Sequence, residues 1–309
     1  MIESRTVHTY HPGMFRIDGI RGKYPALSLT GTVCELNCRH CRGRLLKGMM
    51  MADTPDLLRE RLIRAHLAGF PGALISGGAD IRGSLPWTRF LPVIESIANT
   101  TNLMLSVHLG LADRNTVEAL ARSGVRLFLF DFVTRPDTFR TVFGLSDGYT
   151  RMQSMIDALI DLHVWTAPHI ILGFTGDDIS TEIENMDRLV PLLKTSIVVI
   201  QFMPLRNTPM AGDPTASRDT VIRYITDLRK RFPQTEIALG CARRRPDATL
   251  EIQAIRAGID RLALPDPITR AFLDTEAIPT IHHPVCCAIH HADPMMQKGP
   301  TDGHHAILP

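Results

Sequence analysis

The chain carries six cysteines in two groups of three near opposite ends: Cys34, Cys38 and Cys41, then Cys241, Cys286 and Cys287. In the first group, Cys34-Glu35-Leu36-Asn37-Cys38-Arg39-His40-Cys41 places three thiols within eight residues. A closed zinc site takes four ligands, commonly as two paired cysteines. Three thiolates suit a [4Fe–4S] cube better, because one iron is then left without a protein ligand. An open iron of that kind can bind a small molecule, which is what catalysis requires.

Composition sets the context for those thiols. The 309 residues are 44% apolar, 21% charged and 6% aromatic, an ordinary globular balance. The net charge of +2 comes from 34 basic and 32 acidic residues, so the chain lacks the broad positive field of a nucleic-acid binder. No run approaches the roughly 18 apolar residues of a membrane span. The start, Met1-Ile2-Glu3-Ser4-Arg5-Thr6-Val7-His8, has no apolar signal region. A cytoplasmic enzyme is expected, in which thiols stay reduced and bind metals or do chemistry.

The elements that must position the thiols follow a repeating order. Short apolar β-type runs begin at Ala26, Ala73, Leu103, Val125, Pro168, Ile197, Glu236 and Arg261. Each is followed by an amphipathic segment, near 55–69, 87–99, 114–123, 148–162, 179–193, 217–231, 249–257 and 267–275. Thr54-Pro55-Asp56 starts one helix with a cap and a proline, and Ala257-Gly258 stops another. Eight βα units in roughly 250 residues predict an α/β fold, a closed (β/α)8 TIM-type barrel with its active site at the C-terminal strand ends. An open doubly wound sheet is the competitor, but no G-x-G-x-x-G follows the first strand. The expected division is an N-terminal extension over 1–23, the barrel over 24–276 and a C-terminal tail over 277–309. His304-His305 lies in a tail read as solvated and free of chemistry.

The first cysteine group then sits at the top of the first strand. Its C-x3-C-x2-C spacing resembles the radical S-adenosylmethionine (radical SAM) superfamily. The resemblance implies that Cys34, Cys38 and Cys41 hold a [4Fe–4S] cluster whose open iron chelates SAM. It implies a 5′-deoxyadenosyl radical that takes hydrogen from an unactivated C–H bond. His40 stands where the family usually has an aromatic residue against the adenine. Ser76-Gly77-Gly78 is similar to the glycine motif that accepts the SAM amino group, and Ile171-x-Gly173 to the adenine-contacting motif. Asp131 is then expected near the ribose hydroxyls, and Arg243 or Arg245 near the SAM carboxylate or a cluster edge. His108, His169 and Gln201 also fall near predicted strand ends.

The second group admits two readings. Free cysteines are often simply buried, so Cys241 can be a small core residue and Cys286-Cys287 a chance pair. Alternatively, about ten extended residues from Ala277 to Val285 span on the order of 30 Å and return the chain to the barrel top. Cys241, Cys286 and Cys287 would then meet and hold an auxiliary [4Fe–4S] cluster.

The eight-strand plan and Gly240-Cys241-Ala242-Arg243-Arg244-Arg245-Pro246 resemble the biotin synthase branch of the superfamily. The stretch from Leu29 to Cys41, with Gly43 and Leu45-Leu46, is similar to the split lipoyl synthases. That resemblance implies sulfur insertion into an octanoyl chain on a lipoate-carrier protein, a paralogous radical SAM partner and a ferredoxin- or flavodoxin-type electron donor. The auxiliary-cluster positions of biotin synthase are here Ser106, His108 and Asp131, so sulfide would come from the second cysteine group. The alternative is a methylornithine synthase-like mutase or maturase without a sacrificial cluster. Met49-Met50-Met51 is a soft apolar patch, read first as packing under the cysteine loop and second as facing an acyl chain.

Overall fold

A computed structural model of the chain describes residues 5–192 and 195–289. The histidine pair at 304–305 lies outside the described residues. One curled sheet of 11 strands, parallel throughout, carries the fold. Its principal strands are β1 (Val7–Tyr10), β2 (Ala26–Ser28), β3 (Gly72–Ser76), β4 (Met104–His108) and β5 (Leu127–Phe132). They continue as β6 (Thr166–Leu172), β7 (Ser196–Gln201), β8 (Glu236–Leu239), β9 (Arg261–Ala263) and β10 (Thr280–His283). All eight strands expected from the sequence are present as β2 to β9, in consecutive order across the sheet.

The expected helices form between them. Thr54 caps Pro55–Leu67 by accepting from the Leu57 amide, and Ser217 and Asp247 cap their helices in the same way. The segment expected as one helix near 179–193 instead splits into Ser180–Glu184 and a tighter 3-10 run, Met186–Leu192. Pro191 lies inside the second piece, where it has no amide to donate and its ring crowds the carbonyl four residues earlier, so the α-helical ladder does not run through it.

The closure differs from the expected eight-strand ring. Residues 1–23 were expected only to lead in, yet Val7–Tyr10 forms β1 and pairs in parallel with both β9 and β10. The seam towards β2 is bridged by single bonds, Gly13 N–H to the Tyr24 carbonyl (3.0 Å) and Lys23 N–H to the Pro284 carbonyl (2.6 Å). Met50–Met51 adds a short edge strand beside β2. Met50 packs on the outer core and Met51 is half exposed, in line with packing beneath the loop.

Two apolar layers result. The outer one fills the space between sheet and helices, with Trp87, Phe90, Ile94, Tyr224 and Ile225 among its members. The inner one takes alternate residues of successive strands, including Met104, Leu127, Leu129, Ala167, Val198, Ala238 and Ala263. Tyr10, Tyr24 and the terminal turn Val285–Ile289 complete it. The barrel is thus filled, and part of its filling carries sulfur.

Candidate active site at the mouth of the barrel

The loop after β2 folds back on itself through amide bonds from Cys41 and Arg42 to the Cys38 carbonyl (3.2 and 2.9 Å). Positive φ at Asn37, Arg42 and Gly43 makes the reversal. Glu35 and Leu36 amides donate to the Ala79 carbonyl, and Arg39 to that of Val142 (2.8, 3.1 and 2.8 Å), so the loop is tied to β3 and to the loop after β5. Cys38 and Cys41 are buried and Cys34 is partly exposed. The Cys38 thiol hydrogen-bonds the Cys41 sulfur; this pulls Cys41 well below the usual thiol range and holds Cys38 above it. His40 also hydrogen-bonds Cys41 and lowers it further. One sulfur is thereby preset as the thiolate that metals take.

Gly78 has a steric reason to be glycine, and Gly77 beside it is only tightly fitted. A Cβ on Gly78 would lie 2.0 Å from the Val33 carbonyl and 2.8 Å from Cα and Cβ of Cys34. The Gly78 amide donates to Thr30 Oγ1 (2.7 Å), and Ser76 Oγ donates to the His108 carbonyl (3.1 Å). Gly78 therefore serves as the seat of the cysteine loop.

His40 enters an aromatic pocket, edge-on to Phe143 and to Phe174 with centroids 5.5 Å apart in both cases. Its Nδ1 is buried without a hydrogen-bond partner. Ile171 packs against the same group, with Phe202, Val142 and Met210. Gly173, at φ 105°, lets the chain pass 2.5 Å (Cβ to N) from the Ala216 amide, where a side chain has no room. The structure therefore brings together the cysteine loop, the glycine pair and the Ile171–Gly173 segment. An orphaned imidazole nitrogen within flat walls fits a heteroaromatic base with polar edges, and three thiols fit an iron–sulfur cluster.

Asp131 lies in a polar group with two histidines. His108 Nε2 is 3.5 Å from Asp131 Oδ1, and the His108 and His169 rings meet edge-on at 5.4 Å. Burial pulls His108 down, but the charge and hydrogen bond of Asp131 outweigh it and hold the imidazole above its usual range. Burial likewise opposes ionisation of Asp131, yet His108 keeps the carboxyl below the usual range. His169 gets no such rescue: burial and the charge of His108 push it down to about 4. Its Nδ1 is 3.0 Å from the Ala167 carbonyl, which sets that nitrogen as the N–H and leaves Nε2 as an acceptor.

The His169 shift has a sign. A histidine whose folded pKa is depressed leaves the unfolded chain to bind more protons, so stability is full above about 6.5 and declines as pH falls towards about 4. His169→Gln should remove about 2 kcal/mol of that decline between pH 7 and pH 5, read from urea midpoints of the metal-free protein at the two pH values.

Arg243 does not face the site. Its guanidinium is fully buried, pairs with Glu251 (2.5 Å) and donates to the Gly240 and Leu264 carbonyls (2.5 and 3.2 Å). It fastens the loop after β8 to the helix Ala248–Ala257, so its donors are spent on protein groups rather than turned to a SAM carboxylate, while its charge still acts on Cys241. Glu251→Ala should cost about 3 kcal/mol or more, because it strands a buried charge. Thermal melting of the metal-free protein checks this. Gln201 is similarly engaged, donating to the Ala216 carbonyl (3.2 Å).

The second cysteine group is gathered inside the barrel. Strand β10 runs parallel to β1 and delivers the turn Val285–Ile289 into the barrel interior. Cys287 belongs to the inner cluster, with Cys241 and Cys286 packed against it. The Cys287 thiol and the Ala288 amide both hydrogen-bond Cys286, so Cys286 falls below the usual range while Cys287 rises. Burial pushes Cys241 up to about 11. Among the described residues, no three His, Cys, Asp or Glu side chains converge on the position of a single metal ion. Ligands of a cube bind different irons and need not converge on one point.

Two contributors escaped the sequence reading. Arg261 is fully buried in β9, and its Nη1 donates to the carbonyls of Cys287 and Ile289 (both 2.9 Å). Its other nitrogen pairs with Glu236. Tyr10 lies in the inner cluster, under the Arg261 guanidinium at 5.7 Å and stacked on His283 at 4.9 Å. The β-branched and aromatic residues Val7, Thr9 and Tyr10 were the available signal for a strand there.

No family model matches the chain. A biotin synthase of Thermotoga petrophila is 24% identical over 182 residues, covering 57% of this chain and 60% of that protein, under two thirds of its length. One of Methylacidiphilum infernorum is 23% identical over 248 residues, covering 76% of this chain and 78% of that protein. The crystal structure of methylornithine synthase (PylB) shares the fold with a TM-score of 0.59 at 16% identity, over 85% of this chain and 73% of that one. The hydrogenase maturase HydG does so at 0.61 and 16%, over 84% and 57%. No described helix is long and apolar enough to cross a membrane. The similarity to biotin synthases, together with the three-cysteine loop, supports the radical SAM superfamily, biotin synthase-like branch.

Proposed function

We propose that the chain is a radical SAM sulfur-insertion enzyme, one half of a two-protein lipoyl synthase acting on an octanoyl-lysyl carrier protein. The observation that carries it is the arrival of Cys286 and Cys287 beside Cys241 inside the barrel whose mouth holds Cys34, Cys38 and Cys41. When bound, a first [4Fe–4S] cluster with SAM supplies a carbon-centred radical, and a second supplies sulfide. The residues supply position. Gly78 seats the thiol loop, while His40, Phe174 and Ile171 would flank the base of SAM. The packed barrel interior would exclude water from one side of a reacting carbon. A paralogous radical SAM chain and a ferredoxin- or flavodoxin-type donor complete the proposal as partners.

A second reading keeps the radical chemistry without sulfur transfer, as in a methylornithine synthase-like mutase or maturase. The His108–Asp131–His169 group favours it, since such a polar wall suits an amino-acid substrate better than an alkyl chain. Anaerobic incubation with an octanoylated carrier peptide, SAM and a strong reductant separates the two. A mass gain of sulfur is expected; 5′-deoxyadenosine without sulfur transfer, with the paralogue also present, would favour the second reading.

A further inference from the structure

We propose that the basic side chains of the cysteine loop, Arg39, Arg42, Arg44 and Lys47, with Arg206 and Arg244 beside them, form the docking face for an acidic one-electron donor protein. This deepens the radical SAM reading above and rests on it. The chain as a whole is nearly neutral, with 34 basic against 32 acidic residues. Its loop over 29–48 departs from that balance, holding four basic residues and one acidic, Glu35. Arg39, Arg42 and Lys47 are exposed, and Arg44 is half-buried.

Two contacts extend the patch beyond that loop. Arg44 Nη1 donates to the Arg206 carbonyl (2.6 Å), which brings the loop after β7 against the cysteine loop. The Arg244 amide lies 3.4 Å from Gln201 Oε1, at the end of the same strand β7. Arg206 and Arg244 are exposed. Among the described residues none of these six cations is paired with a carboxylate, whereas the exposed Arg114, Arg218, Arg231 and Arg270 each are. Positive charge left unpaired on one face makes a field that steers a negative partner to it. Val33 and Leu45, 64% and 48% exposed, lie on the same loop and offer that partner apolar contact.

The position of the patch selects an electron donor among acidic proteins. Arg39 directly follows Cys38 and Arg42 directly follows Cys41, so an exposed cation stands one residue from each buried thiol. Consecutive Cα atoms are about 3.8 Å apart, so a partner resting on these side chains comes within roughly 15 Å of the sulfurs. Electron transfer through protein falls off steeply with distance, and this face gives a donor a short path to the loop. A carrier protein has a different need, since its acyl chain must enter the barrel. The step served is transfer of one electron. The donor's reduced flavin or iron–sulfur group is oxidised by one electron, the cluster that Cys34, Cys38 and Cys41 would hold is reduced by one, and no bond is made or broken.

The test uses the full chain without metal, and an oxidised flavodoxin, an acidic FMN protein, as the probe. Arg39→Glu/Lys47→Glu is compared with Arg126→Glu/Arg223→Glu, which changes net charge equally at exposed positions just before β5 and on the helix Arg218–Arg231. Both should keep the parent's circular dichroism. At low salt the first variant should bind flavodoxin about 10-fold more weakly than the parent and the second within about 2-fold, with the salt dependence reduced only in the first. After anaerobic reconstitution, 5′-deoxyadenosine formation at limiting reduced flavodoxin should fall about 10-fold in the first variant alone, and with dithionite should match the parent. Equal binding by the parent and both variants, no binding by the parent, or a matching loss with dithionite would overturn the proposal. So would weaker binding of an acidic octanoylated carrier protein with flavodoxin binding unchanged, which gives the face to the carrier. Failure of the underlying reading looks different: the parent would bind flavodoxin at this face yet form no 5′-deoxyadenosine even with dithionite.

Discussion

Gly78→Ala should lose the first cluster while leaving all three of its cysteines in place. The added methyl would sit 2.0 Å from the Val33 carbonyl and 2.8 Å from the Cys34 backbone, and neither is the movable end of a side chain. The cysteine loop must therefore lift from its seat. Lifting it also strains the Gly78 N–H bond to Thr30 and the amide bonds that Glu35 and Leu36 make to Ala79. Overpacking of this kind costs about 1–3 kcal/mol, which a chain of this size tolerates without unfolding. Function is less tolerant, because a shift of about 1 Å in a catalytic group can cost 100-fold in rate. Reductant-dependent formation of 5′-deoxyadenosine should fall by about that factor, with iron per chain reduced. Gly212→Ala is the control, since a Cβ there meets nothing within 4 Å and its backbone is not left-handed. Full activity of Gly78→Ala would show that Gly78 is not the seat of the loop.

Arg261→Met should destabilise the protein by about 3 kcal/mol or more and release the terminal turn. The guanidinium is completely buried and holds three groups at once: the Glu236 carboxylate and the carbonyls of Cys287 and Ile289. Methionine fills much of the volume but leaves a charge and two carbonyls without that donor, and stranding one partner of a buried pair is the costly change. The urea midpoint should fall with an unchanged slope, the signature of lost stability rather than altered compactness. Adding Glu236→Leu should recover part of the loss, because the half-buried carboxylate is then gone. Even in that stabilised double variant, Cys286 and Cys287 should react faster with a thiol reagent than in the parent, because the carbonyl anchors of their turn are absent. Unchanged reactivity would mean that packing of Val285, Ala288 and Ile289 alone fixes the turn.

Both expectations concern contacts that join distant parts of the chain, and here sequence and structure part company. The eight apolar runs from Ala26 to Ala263 were legible because each strand buries alternate residues on two faces, and that pattern is local. Capping at Thr54 and the stop at Gly258 were legible for the same reason, since a cap needs only the few residues beside it. The split of the helix near 179–193 was hidden behind its apolar spacing, although Pro191 was there to see.

The sequence by itself determined the barrel rhythm, the cysteine loop at the first strand end and the extended stretch able to carry Cys286 and Cys287 back to the mouth. These follow from spacing along the chain, which fixes reach and periodicity. The tertiary structure alone decided that Val7–Tyr10 is a strand between β9 and β10, that Arg243 belongs to Glu251, and that Arg261 clamps the terminal turn. A buried arginine can satisfy its donors with any carboxylate or carbonyl within reach, and the sequence does not say which of them the fold brings there. Pairing of the short strand Val7–Tyr10 likewise depends on which edge the curled sheet leaves open, a property of the assembled sheet rather than of the four residues themselves.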